Sequence, residues 1–135
     1  MVLWRKIGAW TVGCFFLLFI FMVGGLAYLL RDMCDNDIYA SIVSPDGKLK
    51  AVIFERSCGA TTGFSTQISV IPSSEELKNE GGNVFIGSGR PEDVRPVVSW
   101  QSPSNLNISI NKYIKIYNQE NSWGSRWNTV YIQYK

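Results

Sequence analysis

The chain has three cysteines and no histidine among its 135 residues, and these counts limit the chemistry that its side chains can perform. Histidine is the commonest general base and the commonest metal ligand, so its absence excludes Ser-His and Cys-His nucleophile pairs. Cys14, Cys34 and Cys58 have no CxxC spacing, so a zinc site built from cysteine and histidine is excluded as well. We therefore predict that the protein is not an enzyme and that it uses no metal and no cofactor.

The segment most able to carry chemistry is the loop 58–63, Cys-Gly-Ala-Thr-Thr-Gly. An enzyme would use Cys58 or Thr61 as the nucleophile here, with the positive charge of Arg56 favouring the thiolate. Because no histidine is present to act as the base, we favour a turn rich in hydrogen-bonding hydroxyl groups. If the loop binds a ligand, Thr61 and Thr62 are the predicted binding residues.

The cysteines also predict a covalent link. Cys14 lies inside a long apolar stretch, which leaves Cys34 and Cys58 as an even pair in the rest of the chain. In an oxidising compartment such a pair indicates one disulfide. The bridge would close a loop that contributes roughly 3.5 kcal/mol through the lost entropy of the unfolded chain. The alternative is two free buried thiols.

Aromatic residues are concentrated in the last third of the chain, namely Trp100, Tyr113, Tyr117, Trp123, Trp127, Tyr131 and Tyr134. The piece from Trp123 to Trp127, Trp-Gly-Ser-Arg-Trp, lacks a strand pattern, so we predict a loop with two exposed tryptophans. Exposed Trp and Arg side chains anchor protein interfaces, and Trp rings also stack on sugars. Trp123, Arg126 and Trp127 are therefore predicted binding residues. The alternative is that the aromatic side chains form core and cross-strand pairs.

The longest apolar stretch runs from Ile7 to Leu30, 24 consecutive residues without a charge. As a helix at about 1.5 Å per residue it would be roughly 36 Å long, enough to cross a hydrocarbon core of ~30 Å. It shows no polar face, which a surface helix of a soluble protein would have. We predict a single transmembrane helix. The alternative is a signal peptide cleaved after Ala27.

Charges on the two sides of the stretch predict its orientation. Arg5 and Lys6 precede it, whereas Asp32, Asp35 and Asp37 follow it. Positive residues favour the cytoplasmic side, so the N-terminus is predicted to lie inside and the C-terminus outside. The predicted organisation is a cytoplasmic N-terminus at 1–6, a transmembrane helix at 7–30, a juxtamembrane linker at 31–37 and an extracytoplasmic β domain at 38–135.

The remainder of the chain shows short runs of alternating apolar and polar residues, separated by turns. Strands are predicted at 38–43, 48–56, 64–71, 83–86, 96–100, 106–110, 113–118 and 129–134, and Ser73 to Asn79 are predicted to form one helical turn. In the run 113–118, Ile114 and Ile116 are predicted to face the core. The predicted fold class is an N-terminal transmembrane helix followed by a small all-β domain, an antiparallel sandwich or barrel-like sheet.

Three motifs in the first half of this domain carry a resemblance: Ser44-Pro45-Asp46-Gly47-Lys48, then Ala51 to Arg56, then Cys58 to Thr62. Together they resemble a family of small bacterial membrane proteins and lipoproteins of unknown function, which share an SPDGK turn followed by a CGATT loop. The resemblance covers residues 34–71 and is loose beyond them. It implies a bacterial cell-envelope location but supplies no activity, because the family is uncharacterised. This chain lacks the lipidation box of the lipoprotein members, and the family's loop cysteine corresponds to Cys58.

The charge and the predicted topology limit the classes of function and of partner that this chain can have. Residues 32–135 hold 10 Lys and Arg (13 minus Arg5, Lys6 and Arg31) and all 11 Asp and Glu, a net charge of −1 without a basic stripe, so nucleic acid is not a predicted partner. We predict a binding module anchored in the bacterial inner membrane, with an envelope protein as partner, of the immunity or inhibitor type. The alternative is glycan or lipid-headgroup binding through the loop 123–127. A less favoured alternative is an enzyme that uses Cys58.

Overall fold

The computed structural model describes residues 1–31, 33–59, 62–110 and 113–135. The chain divides into two compact units, Met1–Met33 and Cys34–Lys135. The first unit is helix α1, Val2–Arg31. Its residues Val2–Leu30 are long and apolar enough to cross a membrane, and none of them is buried in the structure. The predicted apolar N-terminal helix is therefore confirmed, and a signal sequence would have the same length and composition.

The second unit confirms the predicted all-β domain. Its described residues form two separate sheets and no closed barrel. The first sheet has the order β1-β2-β3-β4-β7, with β1 Asp35–Val43, β2 Leu49–Ser57, β3 Ser65–Pro72, β4 Phe85–Ser88 and β7 Ile116–Gln119. The second has the order β5-β6-β9-β8, with β5 Val97–Ser102, β6 Asn105–Ser109, β8 Ser122–Ser125 and β9 Asn128–Tyr134. All strand pairs are antiparallel except β6 with β9.

The hydrophobic core is formed by both sheets, because alternate residues of each strand point to the same face. Its buried members include Ala51, Ile53, Ile68, Val70, Val84, Phe85, Val98, Leu106, Ile108, Val130 and Ile132. A side-chain hydrogen bond also links the two sheets. The indole Nε1 of Trp100 in β5 donates to the carbonyl oxygen of Ile42 in β1 at 2.9 Å. The predicted alternation in β2, β3, β6 and β9 is what produces this core.

The segment between β3 and β4 corrects one prediction. Ser73 to Asn79 form a turn and an irregular segment, not a helical turn. The segment is fixed by hydrogen bonds to strand side chains. The Nδ2 of Asn36 donates to the carbonyl oxygens of Lys78 and Glu80 at 3.0 and 2.9 Å, and the backbone N–H of Gly82 donates to the buried Oε1 of Gln67 at 2.6 Å. These long-range bonds outweigh the local helical preference.

The starts of two strands and one short helix also differ from expectation. Strand β1 begins at Asp35, three residues before the predicted start at 38. Strand β7 begins at Ile116 rather than at 113, and the Ile116 side chain is 50% exposed, so its predicted inward orientation is wrong. Ile114 does pack against the core, as predicted. A short helix α2, Pro91–Val94, was not predicted; it buries Pro91 and Val94 and contacts β2 and β3.

Candidate functional site

The predicted disulfide links Cys34 to Cys58. Strands β1 and β2 pair in a register that places Asp35 opposite Ser57, so the two cysteines face each other one position further along the hairpin. Cys58 therefore carries no free thiol, and the alternative of two free thiols is wrong. The thiol of Cys14 is free.

The predicted tryptophan loop is a β-hairpin. Strand β8 contains Trp123, and a two-residue turn of Arg126 and Trp127 joins it to β9. Trp123 is half-buried and packs against the core, whereas the Trp127 side chain is 89% exposed. The prediction of a loop with two exposed tryptophans is thus wrong for Trp123 and correct for Trp127. Alternation did not reveal β8 because this strand has only four residues.

The hairpin holds its turn in one conformation. Ser125 pairs with Asn128 across the turn, and the Thr129 hydroxyl donates to the Ser125 carbonyl oxygen at 2.8 Å. Gly124 has a φ of +106°, and a Cβ there would collide with the Asn128 carbonyl oxygen. Only glycine adopts this positive φ without strain and has no Cβ to meet that oxygen. Arg126 and Trp127 are therefore presented by ordered backbone.

A groove of about 440 Å³ lies beside this hairpin, and we call it the tip groove. It is lined by residues from both sheets, among them Asp46, Leu49, Pro72, Pro103, Trp123 and Asn128. The turns that follow β1, β3, β5 and β8 meet there. The tip groove is thus a concave surface of mixed polarity next to an exposed tryptophan.

Asp46 provides a fixed negative charge at the tip groove. The Ser44 hydroxyl donates to its Oδ1 at 2.7 Å, and the Lys48 backbone N–H donates to the same atom at 3.2 Å. These hydrogen bonds, the first being the larger effect, hold the pKa of the Asp46 carboxyl below its usual value. The Ser-Pro-Asp-Gly-Lys motif accordingly forms a tight turn with an ionised carboxylate at its apex.

A second groove, of about 660 Å³, lies at the other end of the first sheet, and we call it the disulfide groove. Its walls include Arg56, Cys58, Thr62, Phe64, Ser88 and Tyr117. Thr62 is exposed, and its hydroxyl donates to the Gly59 carbonyl oxygen at 3.2 Å. Thr61, the other predicted binding residue of this loop, lies outside the described residues.

The predicted binding residues therefore belong to two sites. Thr62 lines the disulfide groove, while Trp123 lines the tip groove, with Arg126 and Trp127 on the adjoining turn. Ser88 and Tyr117 of the disulfide groove were missed by the sequence. Pairing of β4 with β7 brings their strands together across a long sequence separation, and no local pattern signals that pairing.

Within the described parts of the chain, no group of three or more Cys, Asp and Glu side chains is placed to hold a metal ion. No family model, curated protein or solved structure matches this chain. The class of protein is consequently defined by the fold and the grooves: a two-sheet β domain with one disulfide, preceded by an apolar helix. The resemblance to small envelope proteins stays a prediction.

Proposed function

We propose that the chain is a single-pass protein of the bacterial inner membrane whose β domain lies outside the cytoplasm. An exposed apolar helix of this length supports the anchor. The Cys34–Cys58 disulfide supports an oxidising compartment for the β domain. Arg5 and Lys6 before the helix support an orientation with the N-terminus inside.

We further propose that the domain binds another envelope protein through the hairpin turn of Arg126 and Trp127. The observation that carries this proposal is the 89% exposure of Trp127 on an ordered two-residue turn. Tryptophan and arginine dominate the energetics of protein interfaces when partner pockets bury them. A protruding turn of this shape fits a cleft, so the partner presents an apolar pocket for Trp127 and a carboxylate for Arg126. As an immunity or inhibitor protein, the domain would insert this turn into the cleft of a toxin or hydrolase and block it.

Glycan binding is the second candidate, and it uses the same tryptophan. The exposed indole of Trp127 offers a flat surface on which a sugar ring stacks. Trp123, the other tryptophan of this hairpin, is half-buried against the core and offers a sugar ring less stacking surface. This difference favours the protein partner, because a protein interface needs only Trp127 as its anchor.

Photo-crosslinking in intact cells tests the protein partner. A photoreactive phenylalanine analogue replaces Trp127 in one strain and Val97 in another. Val97 is the matched control because it is 56% exposed and lies at the start of β5, the end of that strand away from the turn Ser102 to Asn105. We expect one crosslinked species of defined mass from position 127, none from position 97, and its loss in Arg126→Glu. Equal crosslinking from both positions, or none, would overturn the proposal.

A titration with peptidoglycan fragments tests the glycan candidate. Fluorescence quenching of the purified full chain that is abolished by Trp127→Ala would favour glycan binding. Quenching that persists in Trp127→Ala would exclude the glycan role at Trp127. A lack of quenching in the original chain would exclude it as well.

A further inference from the structure

The charge of Arg56 in the disulfide groove is held in place without being neutralised by its hydrogen-bond partners. Its Nη1 donates to Asn36 Oδ1 at 2.6 Å and to Asn79 Oδ1 at 3.0 Å. Both acceptors are neutral amide oxygens. Asn79 is itself fixed by donating from Nδ2 to the Cys34 carbonyl oxygen at 2.7 Å. The guanidinium therefore keeps its full charge, in a defined position, on the wall of the groove.

Two further cations lie beside the aromatic walls of the same groove. The guanidinium carbon of Arg90 is 3.7 Å from the centroid of the Phe64 ring, and the Nζ of Lys115 is 5.4 Å from the centroid of the Tyr117 ring. Both rings line the groove. Cation–π contacts position such groups without cancelling their charge. Arg56 thus lies on the groove wall itself, and Arg90 and Lys115 add two positive charges beside aromatic side chains of that wall.

The strand register keeps the nearest acidic side chains of the hairpin away from this cavity. Asn36 pairs with Arg56, and alternation directs both toward the face that carries the groove. Asp37 pairs with Glu55, so both carboxylates point to the opposite face of the sheet. Asp35 shares that opposite face. The positive charges on the groove side are therefore separated from the negative charges of the same two strands.

The groove also offers a hydroxyl donor. The Ser88 Oγ accepts the backbone N–H of Lys115 at 3.0 Å, and a serine hydroxyl that accepts one hydrogen bond can still donate its own proton. Arginine, lysine and serine together form the donor set that proteins use for phosphate. A volume of about 660 Å³ accommodates a phosphate with its substituents.

We propose that the disulfide groove binds a phosphate group, either that of an anionic lipid headgroup or free phosphate. The lipid form of this inference rests on the proposed membrane anchor, and neither form uses the residues of the tip groove. The Arg56 guanidinium on the groove wall supplies a charged donor, and the Ser88 hydroxyl on the same wall supplies a neutral one.

The test uses the full chain in uncharged maltoside micelles, followed by amide NMR. Short-chain phosphatidylglycerol is titrated in, and inorganic phosphate and short-chain diacylglycerol are titrated separately. We expect saturable shifts at the amides of Ser88 and Gly89 with phosphatidylglycerol, with inorganic phosphate or with both, and none with diacylglycerol. Saturation by phosphatidylglycerol alone would identify the lipid headgroup as the ligand, and saturation by inorganic phosphate at equal concentration would identify the phosphate group itself. Shifts that do not saturate, or no shifts, would overturn the site.

Variants assign the effect to the groove. Arg56→Gln is expected to weaken binding about tenfold, the loss of one charge-assisted hydrogen bond. Because Arg56 also fixes Asn36 and Asn79, the exposed Arg90→Gln serves as a second variant that leaves those bonds intact and weakens binding several-fold. Lys50→Gln is the matched control on the same strand and face, about 20 Å away. An equal loss in Lys50→Gln would contradict the site. Failure here leaves the crosslink at Trp127 unaffected, so the two proposals fail separately.

Discussion

Trp123 and Trp127 belong to one hairpin, yet Trp123 packs against the hydrophobic core and Trp127, in the turn, is 89% exposed. Strand alternation and a two-residue turn produce this contrast, because β8 directs Trp123 inward before the chain reverses. The same hairpin therefore stabilises the domain with one tryptophan and presents the other to solvent.

The two tryptophans are expected to respond differently to truncation. Trp123→Ala removes a half-buried indole from the core and should lower the free energy of unfolding by about 2 kcal/mol. Trp127→Ala removes a solvated side chain and should change it by less than about 0.5 kcal/mol. Urea denaturation of the full chain in detergent measures both. A larger loss for Trp127→Ala than for Trp123→Ala would contradict the assigned environments.

Gly87 in β4 is predicted to be intolerant of any side chain. A Cβ there would lie 2.6 Å from Ile114 Cδ1 and 2.9 Å from Phe85 Cζ, so both core side chains would have to move. Gly87→Ala should destabilise the domain by about 1–3 kcal/mol. Gly63→Ala is the control, since no atom of the described residues, apart from its chain neighbours, lies within 4 Å of its Cβ position. Equal thermal unfolding temperatures for the two variants would show that the packing around Gly87 is loose.

The disulfide is predicted to stabilise the folded domain by restricting the unfolded chain. Cys34 and Cys58 are 24 residues apart in sequence, and closing that loop is worth roughly 3.5 kcal/mol. The double variant Cys34→Ser with Cys58→Ser should lose this amount in urea denaturation. Reductant should destabilise the original chain to the same extent and leave the double variant unchanged. Insensitivity of the original chain to reductant would refute the prediction.

Tyr134 gives the domain a predicted sensitivity to alkali. Its hydroxyl donates toward the carbonyl oxygens of Glu120 and Val84 at 2.8 and 3.2 Å. Burial, followed by the negative charge of Glu120, raises the pKa of Tyr134 from 10.0 to about 12. In the unfolded chain the phenol ionises near its ordinary pKa. The stabilisation is therefore complete below pH 10 and is lost as the pH rises from 10 to about 12.

Tyrosinate absorbance measures this shift. The difference between the titration of the original chain and that of Tyr134→Phe should show a midpoint near pH 12. The stability of the original chain should fall toward that of Tyr134→Phe over the same range. A difference midpoint near pH 10 would contradict the buried environment of the phenol.

The parts of the fold that depend on local pattern follow from the sequence. Alternation identifies β2, β3, β6 and β9, and the turn Ser44 to Lys48 identifies the first hairpin, because each signal lies within a few neighbouring residues. The disulfide follows from counting cysteines once Cys14 is assigned to the apolar helix. Local chemistry is sufficient for these features.

Long-range pairing does not follow from the sequence. The parallel contact of β6 with β9 and the edge position of β7 depend on strands far apart in the chain. The exposure of Ile116 is a consequence of that edge position, and alternation alone assigns it inward. The disulfide groove was missed for the same reason. Its wall residues Arg56, Ser88 and Tyr117 come together only after the first sheet has formed.

Alkylation combined with intact mass measurement tests most directly whether the disulfide-linked domain lies outside the cytoplasm. The full chain is acid-quenched from cells, denatured and alkylated, first without reductant and then after reduction. We expect one alkyl group, on Cys14, before reduction and three after it, because Cys34 and Cys58 are oxidised only in an exported domain. Three alkyl groups before reduction would mean that the domain faces the reducing cytoplasm. That result would contradict the proposed function.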